Sequence, residues 1–333
     1  MNLTAIQPLW AVEGGRITLH GSGFSLDAPQ LPEIKIGNIP ARVVYASSTR
    51  VSVLVPHGLD GGRTPVRVEG VHGETAFVEV AAACGTGLHQ VDSPVFDREG
   101  NLYVTYSGAR GQEVPVSIFR VSRTGRRESF VSGIVNPTSM TFDAAGQLYV
   151  SSRFEGSVYR VKPDGTYDTF AENLGIACGL TFGRDGTLYV GDRSGTLFGV
   201  APDGTATTVA TLPASVAAFH LAMGPDDNLY VTGPTLGPYD YVYKINPRSR
   251  EVSDVYGGFG RPQGLAFDSQ GSLYVVEALA GWSGVYRLRP EGKPELVVAG
   301  QGLVGVAFDP TGGLVVASNE TAYRLNVPIR PLQ

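Results

Sequence analysis

Apolar residues recur along most of this chain in short runs, and the runs themselves repeat. In QLYVSSRFEGSVYRVKPDG (147–165) a run around Tyr149 and Val150 is followed by a second at Val158–Val161. Pro163-Asp164-Gly165 then supplies a tight turn, proline presetting φ and glycine accepting φ > 0. The unit returns as TLYVGDRSGTLFGVAPDG (187–204) and SLYVVEALAGWSGVYRLRPEG (272–292). Anchored on Leu-Tyr-Val, the copies fall at Tyr103, Tyr149, Tyr189, Tyr230 and Tyr274, with Val315 in the sixth, at intervals of 46, 40, 41, 44 and 41 residues. Each is preceded by a polar turn (DREGN, DAAGQ, GRDGT, GPDDN, DSQGS, DPTGG) and, before that, by a short apolar run such as GLTFG or GVAFD. Four β-branched and aromatic runs in about 40 residues describe one propeller blade and exclude a helical solenoid. Six blades are expected, with inner strands near 93–96, 138–142, 178–182, 219–223, 263–267 and 304–308.

Residues 1–82 alternate differently. Ile17 and Leu19, Ile34 and Ile36, then Val51, Val53 and Val55 mark half-buried strands, and Asp60-Gly61-Gly62 is a turn signal. Five to seven short strands in this length predict a small β-sandwich. No polar linker follows it, so a rigid junction is expected. The sixth repeat holds only three strands, at 303–308, 313–318 and 321–326, and then meets PIRPLQ, whose prolines pair poorly. A strand from residues near 77–84 is expected to complete that blade and close the ring.

Composition narrows the function classes. The chain of 333 residues is 42% apolar with 44 Gly and 22 Pro, as suits many strands and tight turns. Its net charge of −5, with no long basic run, argues against nucleic-acid binding. No apolar run reaches membrane-spanning length, and MNLTAIQPLW lacks a charged segment followed by an apolar one, so a soluble cytoplasmic protein is expected. Two cysteines, Cys84 and Cys178, do not make a disulfide framework.

Two resemblances follow from these residues. Gly15, Ile17, Leu19, Gly21, Gly23, Phe24, the strand at 51–55 with Pro56, and Gly61-Gly62 resemble an IPT/TIG domain, an immunoglobulin-like module. The repeats from residue 83 onward resemble the six-bladed NHL, gluconolactonase and strictosidine-synthase-like propellers, and more loosely streptogramin lyase. The fold class read from the sequence is therefore all-β: a β-sandwich over 1–82 followed by a six-bladed propeller over 83–333. The resemblance implies an enzyme acting on a small organic lactone or ester at one mouth of the central channel. The alternative is a non-catalytic propeller that binds a ligand or protein, with the IPT/TIG-like module as an interaction surface for a protein partner.

Aligning the blades puts Asp92, Thr138, Cys178, Phe219, Gln263 and Val304 in one ring and Ser93, Ser139, Gly179, His220, Gly264 and Gly305 in the next. In gluconolactonase-type enzymes a divalent cation sits here, which implies Asp92 as its carboxylate ligand, and Thr138, Cys178 and Gln263 at the other ligand positions. Calcium, magnesium or zinc is the cofactor so implied, although one carboxylate is few for a hard cation. His220 is a candidate general base, or a partner for Cys178 in a nucleophile dyad, against a plain role as a hydrogen-bonded strand residue. Glu277, after the fifth Leu-Tyr-Val, is a candidate acid or base. Arg153 and Arg193 hold the same position in consecutive blades and could clamp a carboxylate or phosphate; the competing reading pairs them locally with Glu155 and Asp192. Tyr239, Tyr241 and Trp282, on the long loops of blades four and five, are candidates for an aromatic rim.

Overall fold

The computed structural model describes residues 2–24, 32–70, 76–279, 281, 283–289 and 293–325. Every regular element among them is a β-strand. Trp282 and PIRPLQ lie outside the described residues.

Six antiparallel blades form the propeller. The inner strands are Val95–Phe96, Pro137–Phe142, Ala177–Phe182, His220–Met223, Pro262–Phe267 and Leu303–Phe308. Each is followed by a second strand carrying the Leu-Tyr-Val motif or its equivalent, Leu102–Thr105 through Leu314–Ser318. The aspartate that opens most of the intervening turns has a local task. Asp97 accepts from the Asn101 amide at 2.8 Å and from the Tyr103 hydroxyl at 3.1 Å, and Asp268 does the same for Ser272 and Tyr274. Gly100 and Gly271 sit at φ of 82° and 79° in these turns, where a side chain is disfavoured.

The repeated tyrosine also joins blades. Tyr103 packs edge-on to Phe142, Tyr149 to Phe182, Tyr230 to Phe267 and Tyr274 to Phe308, with ring centroids 4.8 to 5.3 Å apart. Each pair links one blade's second strand to the next blade's inner strand and contributes about 0.5–1.5 kcal/mol beyond area burial. Nearer the axis the blades approach too closely for larger side chains. A Cβ on Gly305 would lie 2.5 Å from the Ser93 Cα, and one on Gly264 2.9 Å from the Val304 carbonyl oxygen. Small hydroxyls staple the same level: Ser139 Oγ accepts from the Leu180 amide at 3.0 Å, and Ser93 Oγ from Val306 at 3.2 Å.

The ring closes on the N-terminal side of the propeller. Ala82–Thr86 is the outer strand of blade six and pairs with Thr321–Leu325, Ala82 opposite Arg324 and Thr86 opposite Thr321. The expected closing segment, 77–84, is corrected by a few residues. Ala76–Val80 belongs to the sandwich, where Val78 and Val80 are buried in its core.

Among the described residues nine strand segments precede Ala82, more than the five to seven expected, because Trp10–Ala11 and Ile39–Pro40 pair over only two residues each. One sheet is Asn2–Gln7, Arg16–Ser22, Arg50–Leu54 and Arg42–Ala46 in that order. The second runs through Trp10–Ala11 directly into blade five. Trp10 and Ala11 pair in parallel with Glu79 and Val80 on one side and with Val298 and Ala299 on the other. The result is one nine-stranded sheet shared by sandwich and propeller. Ala299 is buried within the sandwich core, and its carbonyl accepts from the Val12 amide at 2.9 Å. The junction is therefore a continuous hydrogen-bonded sheet.

Candidate functional site

The channel holds two cavities. The lower, on the side of the first-to-second-strand turns, has a volume of about 580 Å3 and is walled by Met140, Leu180, Leu221, Leu265 and Val306 with Asp92 among its lining residues. The upper is smaller, about 250 Å3, and takes residues from all six blades: Gln90, Arg153, Cys178 and Arg193, Val216–Ala218, Gln263, and Val304 with Asn319.

Between the cavities lies a bridge across the ring. His220 Nδ1 is 2.6 Å from Asp92 Oδ1, and its Nε2 is 3.2 Å from Gln263 Oε1. His220 is 0% exposed and Asp92 6%. Asp92 Oδ1 also accepts from the Ser93 amide at 2.6 Å. The ring alignment placed these three residues at adjacent levels, and the fold brings them into contact. It does not bring in Cys178, because both imidazole nitrogens already face Asp92 and Gln263. Burial pushes the Cys178 thiol up to about 12, opposite to what a nucleophile requires. Cys84 and Cys178 are both free.

The implied cation does not fit these residues. Asp92 is the one carboxylate of the set and is committed to His220. The Thr138 hydroxyl donates to the Asn136 carbonyl at 3.1 Å, and Cys178 holds its proton. Among the described residues no group of three or more His, Cys, Asp and Glu side chains could hold a metal ion. A hard cation requires several oxygen ligands, and this ring offers too few.

Glu277 has a different task from the one expected. Its carboxylate accepts from the amides of Gly260 at 2.6 Å, Arg261 at 2.9 Å and Leu279 at 2.6 Å, and it lines neither channel cavity. Ser152 and Asp192 occupy the same repeat position and work alike: Ser152 Oγ donates to the Val135 carbonyl at 2.6 Å, and Asp192 Oδ1 accepts from Ile176 at 2.8 Å. These side chains pin the segment leading into the inner strand to the second strand of the same blade.

The arginines that follow two of those pins do reach the upper cavity. Neither makes the expected local ion pair. Glu155 accepts instead from the Tyr159 hydroxyl at 2.9 Å. Asp192 is held by Ile176 and Ser194. Arg193 donates through Nε to Ser215 O at 3.1 Å and through Nη2 to Val216 O at 2.9 Å. Arg153 is half-buried, with no ion pair or side-chain hydrogen bond among the described residues. Burial, with Arg193 and Arg110 nearby, makes its proton easier to lose than usual. Tyr239 and Tyr241 line neither channel cavity; they are 66% and 43% exposed, and Tyr241 sits in an outer part of blade four opposite Gly257. The expected aromatic rim is thus not assembled by those two residues.

Two polar lining residues escaped the sequence reading. Asn319 occupies the sixth copy of the Arg153 and Arg193 position, so alignment of the repeats carried the signal. Gln90 precedes the first inner strand, where the repeat is loosest, and nothing in the pattern marks it. Its amide and carbonyl backbone groups are tied to Asn319, the Gln90 N–H donating to Asn319 O at 2.9 Å and Asn319 Nδ2 donating to Gln90 O at 2.8 Å. Its side-chain amide is buried with neither Oε1 nor Nε2 hydrogen-bonded.

The fold and the axial cavity define a two-domain all-β protein of the sandwich-plus-propeller class. The IPT/TIG domain model matches residues 1–78. No curated protein sequence is significantly similar to this chain. A solved structure assigned to the gluconolactonases superposes with a TM-score of 0.62 at 19% identity, covering 76% of this chain and 93% of its own. An auxiliary nutrient binding protein from Bacteroides ovatus aligns with a TM-score of 0.57 at 15% identity over 100% of this chain and 98% of its own. A catalytically inactive variant of virginiamycin B lyase from Staphylococcus aureus, with quinupristin, gives 0.55 at 15% identity over 89% and 99%. These likenesses establish the fold, a β-sandwich, matched by the IPT/TIG model, joined to a β-propeller.

Proposed function

We propose that this chain is a binding protein that holds a small organic ligand in the upper axial cavity. The carrying observation is that polar groups from separate blades converge on one small cavity, the expected form of a binding site. The groups that would have made it an enzyme are engaged elsewhere: Glu277 by three backbone amides, Cys178 by burial, His220 by Asp92 and Gln263. One neighbour that spans the whole chain, sandwich included, is named as a nutrient binding protein, which supports the same reading.

A panel of sugars, organic acids, lactones and esters tests it, with thermal shift for binding and proton NMR for turnover. Binding without turnover is expected. Turnover of a bound lactone or ester, abolished by His220→Asn, would overturn the proposal.

The 2.6 Å Asp92–His220 contact favours a second reading, a lactonase- or lyase-like propeller in which the aspartate orients the imidazole as a general base. In that case the substrate reaches His220 by displacing Gln263, and Gln263→Ala should raise rather than lower turnover.

A further inference from the structure

The kind of ligand the upper cavity takes rests on the binding role proposed for it, and is written in the groups that line it. Arg153 and Arg193 stand side by side over blades two and three. Among the described residues no carboxylate comes within ion-pair distance of either. Arg193 is anchored by the Ser215 and Val216 carbonyls, which fixes its guanidinium at the rim. His89, also near Arg153, is held toward its neutral form first by burial and then by that guanidinium, with Glu320 opposing. Asp92 lies below and is bonded to His220. Unbalanced positive charge in a half-buried cavity is costly, and an anion placed there relieves it.

The same cavity is lined in blade one, next to the blade of Arg153, by Gln90. It is 0% exposed, and its side-chain amide has an unused donor and an unused acceptor. A buried amide with no partner is rare in folded proteins and marks a place where a hydrogen-bonding group belongs. Room for the ligand is limited. A cavity of about 250 Å3 holds about eight waters at roughly 30 Å3 each.

We propose that the cavity is specific for a short organic carboxylate, its oxyanion held by the fork of Arg153 with Arg193 alongside, and a neutral hydroxyl or amide on the same ligand read by Gln90. The planar guanidinium fork matches a planar carboxylate. Apart from Arg153 and Arg193, the polar side chains of the wall include amides (Gln90, Asn319 and Gln263) and no further cation, so a second charge on the ligand would go unpaired there.

Isothermal titration calorimetry on the full chain tests this with 3-hydroxypropionate and 4-hydroxybutyrate, their deoxy analogues propionate and butyrate, succinate, inorganic phosphate and the neutral diol 1,4-butanediol. Hydroxy acids should bind best, and Arg153→Gln should weaken them about ten- to hundredfold, the range for a charged hydrogen bond. Gln90→Leu should erase the preference for hydroxy acid over deoxy acid while leaving the thermal midpoint of the free protein unchanged or higher, since it removes an unsatisfied amide. Phosphate binding more tightly than every carboxylate overturns the assignment, as does absence of binding across the set at tens of millimolar. Equal binding of the hydroxy acids by wild type and Arg153→Gln, or diol binding as tight as theirs, also overturns it, yet leaves the cavity as a binding site. Retained hydroxyl preference in Gln90→Leu removes Gln90 from the site.

Discussion

His220 of blade four and Asp92 of blade one meet at 2.6 Å, although 128 residues separate them in the chain. Blades one and four are opposite each other in a six-membered ring. Their contact, extended to Gln263 of blade five, crosses the channel and parts the upper cavity from the lower.

Because the pair is buried, removing either partner leaves the other uncompensated. Asp92→Ala and His220→Ala should each cost about 3–5 kcal/mol, with the double variant costing much less than the sum. Urea unfolding of the four proteins measures the coupling. Additive losses would show that the contact contributes nothing of its own.

Glu277→Gln should act on stability alone. The amide keeps one acceptor oxygen and loses the other, so one or two of the three backbone N–H groups go unsatisfied, at about 1–3 kcal/mol. Ligand affinity should stay within error of wild type. A drop in affinity with no drop in the melting temperature would return Glu277 to the site.

Stability should fall on the alkaline side. Burial is the first cause that pushes Cys178 from 9.0 to about 12, and Tyr103, Tyr274 and Tyr286 from 10.0 to about 12. The unfolded chain releases these protons near their ordinary values, whereas the native state keeps them, so the native state binds more protons across that window. The contribution is fully present below pH 9 and is lost as pH rises toward 12. Denaturant midpoints taken at intervals from about pH 8 to about pH 11 read it directly; a flat profile would contradict the burial of these groups. Iodoacetamide should likewise spare Cys178 in the native protein near neutral pH and modify it in urea.

Gly15→Ala probes the junction. A Cβ there would lie 2.3 Å from the Ala299 carbonyl oxygen and 2.9 Å from that of Val12. Backbone cannot yield as a side chain does, so a loss of about 1–3 kcal/mol is expected from overpacking. The control is Gly62→Ala, at φ 80° with nothing within 4 Å of the new methyl, where only the backbone conformation is penalised, by about 1 kcal/mol. Equal losses would mean that the sandwich and blade five are not locked together.

Much of this architecture is legible in the order of residues alone. Each of the first five blades is made from one contiguous stretch of about 40 residues, and its strands pair with their sequence neighbours. Strand period, turn chemistry and the Leu-Tyr-Val spacing therefore specify it locally. The aspartate of the turn and the tyrosine of the motif even carry their partners a few residues away, as Asp97 does with Asn101 and Tyr103. Ring position is legible too, which is why Asp92, His220 and Gln263 fall at adjacent levels.

What the side chains at those positions do was decided only by the closed ring. Glu277 and Arg153 hold adjacent repeat positions, yet one is saturated by amides of its own blade and the other lines a cavity with no side-chain partner among the described residues. The pattern of apolar and polar residues is the same for both. The closing strand is Ala82–Thr86 rather than 77–84, because Ala76–Val80 is already paired on both sides within the sandwich sheet, with Trp10–Ala11 and with Gly62–Val68. Sequence determines local pairing through backbone geometry and burial period. Which distant groups meet on the axis depends on six blades closing at one spacing, and that distance is a property of the ring.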